Sequence, residues 1–97
     1  MLDRFAALRD ATAAALLDRP GDIPVDVRRA IAFGAPPEDL APLVQKIRTD
    51  ARRVTDRDVA ALRERYTEAQ LFEIIVSAAF GAAHERLMAA RRALEDA

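Results

Sequence analysis

Val54-Thr55-Asp56-Arg57-Asp58-Val59, then a few helical residues, then Tyr66-Thr67-Glu68-Ala69-Gln70-Leu71 and an apolar run lasting to Leu94: this stretch decides the fold. The two six-residue pieces obey one rule. Each places Thr at a helix N-cap. Three residues on, each has a side chain able to reach back to the Thr backbone N–H, Asp58 in the first and Gln70 in the second. Thr67-x-x-Gln70 is a full capping box, and Thr55-x-x-Asp58 is a shorter-armed version. Each cap is also straddled by an apolar pair suited to a hydrophobic staple, Val54 with Val59 and Tyr66 with Leu71. The pattern predicts two helices joined by almost no linker.

The second of these, over about 68–95, would run roughly 40 Å at 1.5 Å per residue. A compact chain of this size has a radius of gyration near ~13 Å. The helix must therefore kink, with Gly81 the natural place, or project beyond its own fold. From Leu71 to Ala83 it is apolar on nearly every side except at Glu73 and Ser77. A helix apolar all round is buried all round. Four short helices are a thin cover for it, so the sequence predicts that a second copy completes the burial. Ala78, Ala79, Gly81, Ala82 and Ala83 permit close helix–helix approach. Phe80, Ala83, Leu87, Ala90 and Leu94 continue at 3-4-3-4 spacing, which suits helix pairing.

Upstream, Leu40, Leu43, Val44, Ile47, Ala51 and Val54 recur at 3-4-3-4-3 spacing and predict a third helix. Pro42 fits inside it if Asp39 is the N-cap, because position N3 has no intrahelical N–H bond to lose. Residues 2–18 read as helix one, with Asp3 as N-cap and Leu2, Phe5, Leu8, Ala15 and Leu16 as its apolar positions. Arg19-Pro20-Gly21-Asp22 is a turn. Ile23-Pro24 opens helix two, whose apolar edge is Val27, Ala30 and Ile31, with Gly34 at its C-terminal end. Helix four covers about 56–65 and buries Val59, Leu62 and Tyr66. Ala35-Pro36-Pro37 separates an N-terminal helical arm (1–35) from the remainder (38–95).

With 97 residues the chain is one domain. Apolar residues form 52% of it and the net charge is −1. This is a globular composition with no global field favouring nucleic acid or a membrane surface. The 14 Arg against one Lys, with 22 Ala, are the signature of a GC-rich, bacterial-type genome rather than of function. Cysteine is absent, which removes disulfides, thiolate nucleophiles and Cys metal ligands. No segment has the continuous apolar core of a signal peptide or a membrane span, so a cytoplasmic protein without membrane contact is expected.

Candidate chemistry is sparse. His84 is the only histidine, the residue type that titrates near neutrality. It shares a face of the long helix with Glu73 and Ser77, all three within about a 40° sector at 100° per residue. Two readings stay open: a general-base strip or polar cavity lining at a subunit interface, and a hydrated or interface-facing edge of an apolar helix. Lys46, Arg48, Arg52, Arg53 and Arg57 form a basic run. It is either a carboxylate or phosphate site, with Arg53 and Arg57 the candidate ligands, or the solvated face opposite the Leu40–Val54 stripe. Helices four and five imitate a helix-turn-helix. The second one opens with Leu71-Phe72-Glu73-Ile74-Ile75-Val76, which belongs in a core, so nucleic acid is not an expected partner. One His and no Cys argue against a metal site, and no Gly-rich phosphate loop is present, so no metal or cofactor is expected.

The segment from about Glu38 to Leu94 resembles the AhpD-like, carboxymuconolactone decarboxylase family of all-helical proteins. The resemblance is carried by Arg52 through Leu62, by Tyr66-Thr67-Glu68-Ala69-Gln70-Leu71-Phe72-Glu73-Ile74, by Ala78-Ala79-Phe80-Gly81-Ala82-Ala83, and by Arg86-Leu87. It implies an all-α fold and subunits that interlock into oligomers. Alkylhydroperoxidase-like members of the family carry Cys-x-x-Cys followed by a His. Those slots fall at about Asp50, Arg53 and Arg57, so thiol peroxidase chemistry is not inherited. The glycine usual in the turn is replaced by Arg65 or Tyr66. The decarboxylase branch needs no Cys pair. The expectation is an all-α, five-helix protein, most simply a non-catalytic assembly or interaction module that forms a homo-oligomer through the 68–95 helix or binds a protein partner. The alternative is a cysteine-independent enzyme or binder of a small carboxylate at a subunit interface, with Glu73, Ser77 and His84 lining the pocket.

Overall fold

Among the described residues the chain forms five α-helices and one 3-10 turn. The computed structural model describes residues 2–96, leaving out the side chains of Leu2, Asp3 and Phe5. In chain order the elements are α1 (Leu2–Leu17), α2 (Val25–Phe33), α3 (Ala41–Asp50), the 3-10 turn (Ala51–Arg53), α4 (Asp56–Ala60) and α5 (Glu68–Asp96). No strand occurs among the described residues.

The caps form as their sequences dictate. Thr67 N–H donates to Gln70 Oε1 at 2.8 Å, and Gln70 N–H donates to Thr67 Oγ1 at 3.1 Å. Thr55 N–H donates to Asp58 Oδ2 at 2.9 Å, and Asp58 N–H returns to Thr55 Oγ1 at 3.4 Å. Both staple pairs join the core: Leu71 belongs to the buried cluster, and Val54, Val59 and Tyr66 pack against that cluster. Asp58 also receives Lys46 Nζ at 2.9 Å, which ties α4 to α3.

α5 is the scaffold, and α1, α2 and α3 pack on it. It buries Leu71, Ile74, Ser77, Ala78, Gly81 and Ala82. Against these lie Ile23, Ile31, Leu40, Leu43, Val44 and Ile47. One core therefore unites the N-terminal arm with the later helices. α2 runs in the same direction as α5, since Ile23 lies at Glu73 and Ala32 lies at Gly81. Gly81 marks their closest approach, because a Cβ there would fall on the Ala32 carbonyl and within 2.8 Å of the Ala32 Cα.

Of the two outcomes open to α5, a kink at Gly81 or projection beyond the fold, the second holds. α5 is one unbroken helix of 29 residues and accounts for the 47 Å long axis of the molecule. Within one chain it is covered on one side only, by α1, α2 and α3, while Phe72 stays 68% exposed and Leu94 77% exposed. Several local expectations change. Asp3 lies within α1 rather than before it. The expected apolar positions Leu2 and Phe5 fall outside the described side chains. Leu8 and Leu16 are exposed, and Leu17 takes the fully buried place. Leu40, not Asp39, is the N-cap of α3, which puts Pro42 at N2. The N–H argument holds there equally. Asp39 instead accepts the Tyr66 hydroxyl at 2.8 Å. The α3 stripe loses its period at Asp50, whose side chain accepts the Arg52 N–H at 3.2 Å and tightens the chain into the 3-10 turn. α4 is shorter than its pattern, with turns over 61–65.

Candidate functional site

The three polar residues of the α5 face, Glu73, Ser77 and His84, do share that face. They do not share a site. Glu73 sits at the start of α2 and His84 at its end, roughly 16 Å apart along α5 at the helical rise.

Glu73 is a helix cap supplied from another helix. Its carboxylate accepts the backbone N–H of Asp22 at 3.1 Å and of Ile23 at 2.7 Å. Pro24, the N-cap of α2, offers no side-chain acceptor. Glu73 therefore meets the backbone donors just before α2 and sets a negative charge at the positive end of its dipole. Gly21 makes this possible, because a Cβ there would collide with the Glu73 carboxyl group. Ser77 is buried, and its hydroxyl donates to the Glu73 carbonyl one turn back at 2.8 Å. A hydroxyl so held is neither exposed nor paired with a base.

His84 lies beside two phenyl rings. Its ring centroid is 5.1 Å from Phe33, edge-on, and 6.1 Å from Phe80, stacked. Phe33 and Phe80 meet each other edge to face at 5.9 Å. His84 Nδ1 is buried without a hydrogen-bond partner among the described residues. An open cleft of about 490 Å³ adjoins it, lined also by Arg9, Asp10, Ala13 and Arg29. A neighbouring apolar hollow of about 230 Å³ lies between α1 and α5, with Leu8, Thr12, Phe80, Ala83 and Leu87 in its walls. The cleft's cations are engaged. Arg29 pairs with Asp18 through two bonds of 2.6 and 2.7 Å. Arg9 meets Asp10 at 3.4 Å and the Met88 sulfur at 3.3 Å. The Arg29 hydrogen bond holds the Asp18 carboxyl below the ordinary carboxylate range, and the same bond raises Arg29. Among the described residues no hydrogen bond joins His84 to a carboxylate or a hydroxyl, so no base–nucleophile pair is assembled. No group of three or more His, Asp and Glu side chains is placed to hold a metal among them.

Arg53 and Arg57 are exposed on the 3-10 turn and α4, and neither lines the hollows around His84. The rest of the basic run is structural or solvated. Lys46 pairs with Asp58. Arg52 is 92% exposed beside Asp50. Arg48 donates to the carbonyls of Ile31 at 2.6 Å and Gly34 at 3.3 Å, placing positive charge at the C-terminal end of α2.

The arginine missed by the sequence reading is Arg28. It is 3% exposed and donates to the carbonyls of Leu16 and Arg19 at the end of α1. The apolar edge of α2 turns to admit it, so Arg28, Ile31 and Ala32 are buried and Val27 lies at the margin. The signal was present in Ile31 and Ala32 flanking one face, but a charged residue in that face reads as its boundary.

No family model, no curated protein and no solved structure matches this chain. No helix among the described residues is long and apolar enough to cross a membrane.

Proposed function

We propose that this protein is a non-catalytic helical interaction module that assembles through the outer face of α5, a divergent AhpD-like chain that keeps the helix order without the thiol chemistry. One observation carries the reading. Glu73 and Ser77 of the candidate strip serve folding, while large apolar residues of α5 remain exposed: Phe72 at 68%, Leu94 at 77%, and Leu87, at the edge of the hollow beside α1, at 41%. Exposed apolar area of this extent on one helix marks an interaction face. A cytoplasmic setting belongs to the same proposal. Native mass spectrometry tests it. A discrete oligomer without added mass is the expected spectrum, and a monomer at every concentration overturns it.

A second reading has its own observation, the unpartnered Nδ1 of His84 beside Arg9 and Arg29. It makes the cleft a seat for a small carboxylate, held by guanidinium groups once they release Asp10 and Asp18. A monomer or oligomer that retains a small anionic mass, lost in Arg29→Ala, would favour it.

A further inference from the structure

The open cleft of about 490 Å³ lies where α1, α2 and α5 meet, and two of its lining residues are underused. Phe33 is an aromatic ring left 42% exposed, with edge-to-face contacts to Phe80 and His84. Arg9 is the reverse, a guanidinium whose side chain is only 22% exposed. A guanidinium carries five N–H donors. Among the described residues Arg9 makes two bonds, one to the Met88 sulfur at 3.3 Å and one to the adjacent Asp10 at 3.4 Å. A thioether is a weak acceptor, and a long ion pair to an exposed neighbour is worth little. A covered cation so partnered lacks the anion its burial calls for. We propose that the cleft binds an aryl monocarboxylate, with its carboxylate on Arg9 and its ring against Phe33. The proposal rests on the cleft reading of His84, names a ligand class for it, and is independent of assembly.

Charge selects a monoanion. The Asp10 side chain is 74% exposed, so it turns to water when a ligand carboxylate takes its place on Arg9. Arg29 holds Asp18 through two shorter bonds of 2.6 and 2.7 Å, so Arg9 changes partner first. One cation is then on offer, which suits a monocarboxylate, whereas a phosphate dianion would need both. Phe33 stands at the C-terminal end of α2, whose dipole by itself repels anions. Arg48 offsets this by donating to the carbonyls of Ile31 and Gly34. His84 adds a donor. Its Nδ1 is buried without an acceptor among the described residues, so the proton of the neutral ring belongs on Nε2, the nitrogen left for the cleft. The ring is selected by Phe33, since aromatic pairs gain from offset or edge-to-face contact beyond the area they bury. Benzene is held by an apolar cavity of about 150 Å³, so a phenyl group and a carboxylate fit the cleft together. The open mouth and the single cation set a weak affinity, with Kd on the order of 1 mM.

His84 is the only histidine, so the carbon-bound protons of its imidazole give one isolated pair of NMR signals. The wild-type protein is titrated at constant pH and ionic strength with 3-phenylpropionate, propionate and 3-phenylpropanol. The aryl acid is expected to move the His84 signals saturably and to show nuclear Overhauser contacts from its ring to Phe33. Propionate, which lacks the ring, and 3-phenylpropanol, which lacks the charge, are each expected to bind at least about tenfold more weakly. Arg9→Gln, with unchanged helical circular dichroism, is expected to weaken the aryl acid at least about fivefold. Phe33→Leu weakens the aryl acid and leaves propionate as it was. Propionate binding as tightly as 3-phenylpropionate, or Phe33→Leu binding the aryl acid as the wild type does, overturns the aryl class while the small-carboxylate seat stands. Equal binding of 3-phenylpropanol, or no shift with any of the three, overturns both.

Discussion

The Glu73 carboxylate on α5 accepts the backbone N–H of Ile23, 50 residues earlier in the chain, at 2.7 Å. With the Asp22 N–H at 3.1 Å, this fixes the loop that starts α2 to the helix that α2 packs along. Glu73→Ala is expected to destabilise the fold by about 1–3 kcal/mol, since the part-buried Ile23 N–H and the exposed Asp22 N–H lose their acceptor. Glu73→Gln loses less, because its one oxygen replaces two. Gly21→Ala acts through the same carboxylate, so Gly21→Ala with Glu73→Ala costs less than the sum. Urea unfolding of the four variants checks this.

Gly81 is a packing glycine. Alanine there gains roughly 1 kcal/mol of helix propensity, but its Cβ meets backbone atoms of Ala32 rather than a side chain that can move. The expected net effect of Gly81→Ala is a loss of about 1–3 kcal/mol, with α2 and α5 forced apart. A rise in stability in thermal denaturation would contradict the close approach.

Arg28 closes the end of α1 from inside the core. Arg28→Met preserves apolar bulk but strands the carbonyls of Leu16 and Arg19, at a cost of about 2–3 kcal/mol. Arg28→Lys is expected to recover only part of this, because an ammonium has no fork to span two acceptors. Chemical denaturation of both variants measures the difference.

Two carboxylates set the acid limb of stability. Asp58 is held below the ordinary carboxylate range first by Lys46 and then by the Thr55 backbone N–H, and Asp18 is held below it by Arg29. Their contribution is complete above the unfolded carboxylate value near ~4 and disappears as pH falls through the lower folded values. Asp58→Asn therefore flattens the fall of Tm with acid, and added salt weakens the wild-type effect. Tyr66 has the opposite sign. Burial, then its bond to Asp39, raises the phenol above its ordinary value. Its contribution is full below about pH 10 and is lost as pH rises through the folded value. Tyr66→Phe loses the Asp39 bond and blunts the alkaline limb, both visible in Tm against pH.

His84→Phe separates the two functional readings. Nδ1 has no hydrogen-bond partner among the described residues, so a ring carbon in its place leaves stability unchanged or higher by up to about 1 kcal/mol. In the interaction-module reading assembly is also unchanged. Loss of a retained small anion from the variant would instead support the cleft. Thermal denaturation with native mass spectrometry reads both.

Much of the architecture was legible locally. Thr55, Asp58, Thr67 and Gln70 cap as written, because a capping box involves residues three apart and nothing else. Leu40, Leu43, Val44 and Ile47 are buried as their spacing required. The candidate strip was legible only as a direction on a helix. Periodicity placed Glu73, Ser77 and His84 on one face, but it holds no information about what α2 sets opposite each of them. Arg28 was hidden for the same reason: its acceptors belong to the end of another helix.

The sequence by itself determined the starts of α4 and α5, the all-α class, the exclusion of thiol chemistry and the length of α5, because each follows from residue type or from contacts within one turn. Only the tertiary structure decided that Glu73 caps α2, that Gly81 admits Ala32, that Arg28 and Arg48 close helix ends, and which side of α5 stays open. Those outcomes depend on how side chains from distant helices fill one shared volume and satisfy one another's backbone groups. That is a condition on pairs of residues far apart in the chain.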